Sequence, residues 1–127
     1  MKLNTLLLLT AVLYLCNAVI TLTAPSVQLS LYGVTAGPGG RYMAQWAGLG
    51  SLAVGLLALA LRTVTERSAQ RAATLAFMVY FLVGAALSVV GTMSGLMRTS
   101  AWSLVAVQVF FAVAYGYLLT RRLDMLD

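Results

Sequence analysis

The chain has 127 residues, of which 61% are hydrophobic and 9% are charged, whereas about 25% of the residues in an average soluble domain are charged. This composition predicts a single domain embedded in a membrane. With no histidine, one cysteine and three acidic residues, the sequence lacks the side chains of a His-ligated haem, a His/Cys zinc site, a Ser-His-Asp triad or an internal disulfide. We therefore expect no catalytic residues, no cofactor and no metal, and a protein that is not an enzyme.

The net charge of +5 does not indicate a nucleic-acid partner. The eight basic residues are scattered between long apolar runs, whereas a nucleic-acid surface gathers them in a patch. They mark the ends of four uncharged runs, each long enough to cross the roughly 30 Å hydrocarbon core of a bilayer. The runs predict helices over approximately residues 3–24, 42–61, 68–93 and 100–120.

Local signals set the expected helix ends. Pro25 stops the first helix, since proline has no N–H to continue the hydrogen-bond ladder. The spacing Thr63-x-x-Glu66 is typical of a capping box before the third helix, and Gly95 is placed as its C-terminal glycine. Ser100 is placed as the N-cap of the fourth helix.

The first run also has features of a signal peptide that is removed on export, with Lys2 as its basic region. A retained helix fits the sequence better, because the apolar run continues past Ala18 to Ala24.

The distribution of basic residues predicts the orientation, because positive residues are retained on the cytoplasmic side. Six fall on one side, and these are Lys2, Arg62, Arg67, Arg71, Arg121 and Arg122. Two, Arg41 and Arg98, fall on the other, which places both termini in the cytoplasm. Trp46 and Trp102 lie near the predicted outer ends of their helices, as interfacial aromatic rings do.

The outer loop 25–40 shows apolar residues at every second position before a Gly-Pro-Gly-Gly turn. Two interpretations are open, a connector resting on the membrane surface and a lid over a site. The connector is favoured, since only some long ordered loops have a function of their own.

Small residues recur at helical spacing, as expected where helices pack closely in lipid. The predicted packing positions are Ala47, Ser51, Gly55, Gly84, Ala112 and Gly116. Because these share faces, we expect an all-α fold, a compact antiparallel four-helix bundle.

The strongest polar side chains fall at similar depth, in the outer half of the spans. They outline a candidate ligand pocket made of Asn17, Arg41, Gln45, Ser88, Thr92 and Gln108. Such a pocket suits a lipid, a quinone or another small amphiphile. The alternative, which is favoured at this level, is that the amides bond across helices while Arg41 reaches lipid phosphate.

Four local features carry a family resemblance. They are Pro25 followed by Leu31-Tyr32-Gly33, Arg41 opening a Gly-rich second helix, Ser94-Gly95 closing the third, and Trp102 opening the fourth. Together they resemble a family of small four-helix proteins of the bacterial inner membrane whose shared domain has no assigned function, and more loosely the DoxX-like membrane proteins. The resemblance implies the fold and a multi-pass inner-membrane location, and the DoxX-like similarity implies an accessory-subunit role.

Two functions follow as hypotheses. The first is a non-enzymatic protein that acts by association with membrane lipids and with other membrane subunits or copies of itself, using surplus glycines at positions 48, 50, 91 and 95. The second is a carrier or binding protein for a lipid, quinone or amphiphile held in the outer-half pocket. A proton-coupled exporter is disfavoured, because no acidic residue lies within a span.

Overall fold

A computed structural model describes residues 2–121 as an all-helical protein with no strand in that range. The helices are α1 (Leu3–Thr23), α2 (Pro25–Leu31), α3 (Pro38–Leu61), α4 (Arg67–Met93) and α5 (Trp102–Thr120), the last preceded by a 3-10 turn at Thr99–Ala101. Four of them, all except α2, are long and apolar enough to cross a membrane. The chain is therefore a multi-pass membrane protein by helix length and composition.

The long helices start and stop close to the sequence signals, and the differences lie at the starts of α3, α4 and α5. α3 begins at Pro38 rather than at Tyr42, because proline at the first helical position has its backbone angle already set for a helix. The predicted capping box is wrong: the Thr63 hydroxyl donates to Ala60 O at 2.9 Å, and Glu66 caps α4 with its backbone conformation alone. Gly95 does adopt the left-handed conformation after α4, with φ +80°.

The predicted connector contains a helix. The seven residues of α2 begin at Pro25, which again occupies the first helical turn. The apolar residues at every second position do not indicate this helix. Gln28 and Tyr32, four residues apart, share one side of α2 and line the same cavity, as helical spacing requires. The Ser100 hydroxyl donates to Leu31 O at 2.8 Å, so it ties the turn before α5 to α2 instead of capping α5.

The spans pack as two pairs, α1 with α3 and α4 with α5. Near the start of α1, Asn4 Oδ1 accepts a 2.6 Å hydrogen bond from Arg62 Nε just after α3. Near its end, Thr21 lies against Gly48, in the half of α3 that is nearer the start of that helix. Thr23, Pro38, Met93 and Thr99 thus mark one end of the protein, which we call the α2 end.

Aromatic rings and small aliphatic groups join the two pairs. Phe81 of α4 stacks on Phe111 of α5, with ring centroids 4.8 Å apart, and both pack in one cluster with Leu6, Leu7 and Ala11 of α1. The buried hydroxyls of Thr10 and Tyr115 share a 2.7 Å hydrogen bond across this cluster. A buried hydrogen bond of this kind fixes the register of α1 against α5.

The predicted packing positions fall mainly inside the protein. Ser51, Gly55 and Ala112 are buried, whereas Gly84 and Gly116 are partly buried against Gln108 and Met78 respectively. Ala47 is exposed, so that prediction is wrong. The contact face of α3 is instead Gly48, Ser51 and Gly55, a spacing of three and four residues that keeps all three toward α1.

Candidate functional site

An open cavity of about 290 Å³ lies near the α2 end, where α1, α2 and α5 meet. We call it the amide cavity, because three carboxamide side chains line it together with hydroxyl groups. Its polar lining is Tyr14, Asn17, Gln28, Tyr32, Ser51, Tyr80, Ser103 and Gln108, and its apolar lining is Leu13, Leu104 and Val107. None of these side chains is charged.

Asn17 is the centre of the polar network on one side of the amide cavity. Its Nδ2 donates to Ser51 Oγ of α3 at 2.9 Å, and its Oδ1 accepts from Gln28 Nε2 of α2 at 2.6 Å. One carboxamide thus fastens α1 to both neighbouring helices. Because a carboxamide has two N–H groups and an oxygen with two lone pairs, Asn17 and Gln28 keep further capacity to bond a ligand.

Gln108 carries the network on the opposite side. Its Oε1 accepts a 2.8 Å hydrogen bond from Ser88 Oγ on α4. Gly84 makes room for this side chain, since a Cβ there would lie 3.1 Å from Gln108 Nε2. The Tyr14 hydroxyl is close to the polar atoms of Tyr80 and Gln108.

The amide cavity lies within the length of the spans, some way in from the α2 end. Asn17 is six residues before the end of α1 at Thr23, and Gln108 is six residues after the start of α5 at Trp102. At 1.5 Å of rise per residue, both amides are about 9 Å from those helix ends. They therefore lie where hydrogen-bonding groups are costly unless they have partners.

Two apolar grooves continue from the amide cavity along α1 and α5. The first, about 500 Å³, shares Leu13 and Val107 with the cavity and extends to Leu9 and Phe110. The second, about 430 Å³, shares Phe110 with the first. Its other lining residues are Leu6, Val109, Val113, Ala114, Tyr117 and Leu118. The polar cavity and the apolar grooves thus lie next to one another and share wall residues, and we call the three together the α1–α5 track.

Of the six residues predicted to form a ligand pocket, the structure brings three together. Asn17 and Gln108 line the amide cavity. Ser88 is not in the lining, but its hydroxyl donates a hydrogen bond to Gln108.

The other three residues lie elsewhere. Gln45 Nε2 donates to Leu22 O at 3.2 Å, which holds its amide between α1 and α3. Thr92 turns back to Ser88 O of its own helix at 2.7 Å. Arg41 lines a separate pocket beyond α2.

Sequence reasoning missed several lining residues. Gln28 and Tyr32 lie in the segment 25–40, for which the sequence predicts a surface connector, so they are not among the predicted pocket residues. Tyr80 carries no sequence signal beyond its residue type, since its position depends on how α4 packs against α1. Ser51 was identified as a packing residue, and it both packs against α1 and bonds Asn17.

The side chains that line the amide cavity are all uncharged. Within residues 2–121 there is no group of three or more His, Cys, Asp or Glu side chains close enough to do so. Burial raises the pKa of the Tyr32 phenol, so at neutral pH this hydroxyl keeps its proton and can donate a hydrogen bond. The lining side chains can therefore bind a ligand through hydrogen bonds between uncharged groups.

The chain matches no protein-family model, no curated protein and no solved structure. The resemblance to small four-helix proteins of the bacterial inner membrane stays a prediction from the sequence.

Proposed function

We propose that this protein binds a neutral amphiphile, with the polar head in the amide cavity and the apolar tail in the grooves of the α1–α5 track. The protein acts as a carrier or binding protein in the bacterial inner membrane. Its four spans form an antiparallel bundle with both termini in the cytoplasm, and the α2 end faces outward.

The observation that carries the proposal is the shared lining of the polar and apolar spaces. Leu13 and Val107 belong to both the amide cavity and the first groove, so a single molecule can occupy both. Ligand sites combine an apolar wall with a few placed polar groups. An amphiphile matches that division, because its head needs the hydrogen bonds and its tail needs only apolar contact.

The lining selects the chemistry of the head. Carboxamides and phenols donate and accept hydrogen bonds without charge, and no lining side chain balances an ionised group. A neutral carbonyl or hydroxyl head fits, as in a quinone or an acylglycerol. A charged head would have to lose water without gaining an ion pair, which is costly at this depth.

Charge and aromatic residues support the orientation. Arg41 and Arg98 are the only basic residues at the α2 end among residues 2–121. Trp46 and Trp102 are 55% and 45% exposed near that end, as rings at a membrane interface are.

The test blocks the first groove, where the apolar tail is proposed to lie. Ala106 lines the first groove, and Ala86 is an exposed alanine of α4 outside every pocket described here. Wild type, Ala106→Trp and Ala86→Trp are extracted in lipid-retaining polymer discs and their bound small molecules are identified by native mass spectrometry. We expect wild type and Ala86→Trp to carry one defined neutral amphiphile per chain and Ala106→Trp to lose it. Equal retention by the two variants, or no defined molecule in wild type, contradicts the proposal.

Association with another membrane subunit or a second copy is a second candidate, favoured by the exposure of α3. This helix is the least buried of the four spans, and around Gly50 there is open space. Other glycines already pack within the chain, Gly48 against Thr21 and Gly91 against Met97. Gly50→Leu should therefore reduce any stoichiometric complex seen by native mass spectrometry, and an unchanged complex rejects α3 as its interface.

A further inference from the structure

A second pocket at the α2 end combines two arginines with no carboxylate. It has a volume of about 250 Å³ and lies on a different face of α2 from the amide cavity. Arg41, near the start of α3, and Arg98, before the turn that opens α5, both line it. The hydroxyl-bearing residues Ser26, Ser30 and Thr35 complete its polar lining.

The position of Arg98 is fixed by its surroundings. Its backbone N–H donates to Tyr32 O at 2.7 Å, which joins the α4–α5 connection to the end of α2. Its side chain lies directly against the backbone of Gly33, where a Cβ would be 2.8 Å from Arg98 Cβ and 2.9 Å from Arg98 Nε. Gly33 also has φ +70°, a conformation that glycine adopts without strain. The absence of a side chain at Gly33 therefore leaves room for the Arg98 side chain beside the pocket.

No acidic side chain among residues 2–121 balances the charge of the two arginines. Within residues 2–121 neither guanidinium makes a hydrogen bond or an ion pair with another side chain. The one acidic residue of that range, Glu66, lies at the opposite end of the protein. Two arginines facing one polar pocket attract an anion, and their planar N–H forks suit phosphate oxygens.

We propose that this pocket, which we call the arginine pocket, binds a phosphate group, carried by a lipid headgroup or free in solution. The proposal goes beyond the neutral-amphiphile site and does not depend on it, because the two pockets share no lining residue. The hydroxyls of Ser26 and Thr35 supply additional donors that a phosphate accepts, whereas the Ser30 hydroxyl already donates to Val27 O.

The experiment uses the full chain in detergent, with dioleoylphosphatidylglycerol as the probe and dioleoylglycerol as its phosphate-free counterpart. Binding is measured by native mass spectrometry for wild type, for Arg41→Gln/Arg98→Gln, and for Arg71→Gln/Arg121→Gln. The last variant removes the same charge at the opposite end. Inorganic phosphate is then added at constant ionic strength as a competitor.

We expect the phospholipid to bind Arg41→Gln/Arg98→Gln about tenfold more weakly than wild type and the control variant. The phosphate-free lipid should not distinguish the three proteins. Displacement by inorganic phosphate shows that the pocket accepts the free ion, and lack of displacement shows that it requires the lipid. Equal phospholipid binding by the three proteins, or an equal loss in both variants, overturns the proposal.

If Arg41→Gln/Arg98→Gln does not fold, Arg41→Gln alone decides. Arg41 is exposed and makes no side-chain hydrogen bond within the described residues, so its replacement leaves internal contacts intact. Weaker phospholipid binding in this variant supports the arginine pocket, and unchanged binding overturns it.

Discussion

Gln28 Nε2 donates a 2.6 Å hydrogen bond to Asn17 Oδ1, and this bond fastens the short helix α2 to the membrane-spanning helix α1. Asn17 in turn bonds Ser51 on α3. The segment between the first two spans is therefore part of the wall of the amide cavity. α2 closes one side of the cavity. Its Gln28 amide gives Asn17 a partner at a depth where bulk water does not satisfy polar groups.

Close packing of α1 on α3 depends on Gly55. A Cβ there would lie 2.7 Å from Leu15 Cγ and 3.1 Å from the backbone nitrogen of Leu15. Gly55→Ala should lower the melting temperature in detergent, because the backbone contact cannot move aside. Gly50→Ala is the matched control at an open site, where it should stabilise the helix by about 0.5–1 kcal/mol. The same sign of effect for both variants contradicts the packing described here.

The Thr10–Tyr115 hydrogen bond should contribute measurably to stability. Tyr115→Phe removes only the hydroxyl of a fully buried ring, so we expect a loss of about 0.6 kcal/mol, the average for hydrogen bonds between membrane helices. Tyr117→Phe is the control, since Tyr117 is 46% exposed. Unfolding in mixed micelles measures both. A loss for Tyr117→Phe as large as for Tyr115→Phe would be evidence against a specific contact.

The turn at Gly33 should not tolerate a side chain. Gly33→Ala introduces strain at φ +70° and a clash with Arg98, at a cost of about 1–2 kcal/mol. Hydrogen exchange at the Arg98 amide reports this directly, because that N–H donates to Tyr32 O. Exchange should accelerate in Gly33→Ala and stay unchanged in Gly39→Ala, which has open space around it. Protection at Arg98 that survives Gly33→Ala would show that the contact is not needed.

The proposed orientation predicts which residues a membrane-impermeant maleimide reaches in intact cells. In a Cys16→Ser background, the exposed positions Ser26→Cys and Thr99→Cys at the α2 end should react. Thr65→Cys, between α3 and α4, should react only after the membrane is opened. The reverse pattern places the α2 end in the cytoplasm and rejects the orientation drawn from the arginines.

The sequence was most informative where one residue decides the outcome locally. Charges at the ends of apolar runs set the spans, since burying a charge in hydrocarbon is costly, and Pro25 ended the first helix as expected. The sequence also predicts that Asn17 and Gln108 have polar partners, because amides within a span need them, and both side chains are hydrogen-bonded across helices.

What the sequence could not supply was the rotation of each helix about its axis. Gln45 was grouped with Asn17 by depth, yet it faces the α1–α3 contact. Ala47 was assigned to the packing face that Gly48 occupies, an error of one residue that corresponds to a turn of about 100°. Depth follows from counting residues, whereas direction follows from packing between segments distant in the chain.

The central claim, that the amide cavity holds a polar head, is tested most directly at Gln28. Gln28→Leu removes a lining amide, and Gln45→Leu removes an amide from the same end of the protein but outside the cavity. The measurement is the fraction of protein carrying the neutral amphiphile, read by native mass spectrometry from lipid-retaining discs. We predict that Gln28→Leu loses most of the bound molecule while Gln45→Leu retains it as wild type does. Retention by Gln28→Leu equal to that of Gln45→Leu contradicts the account.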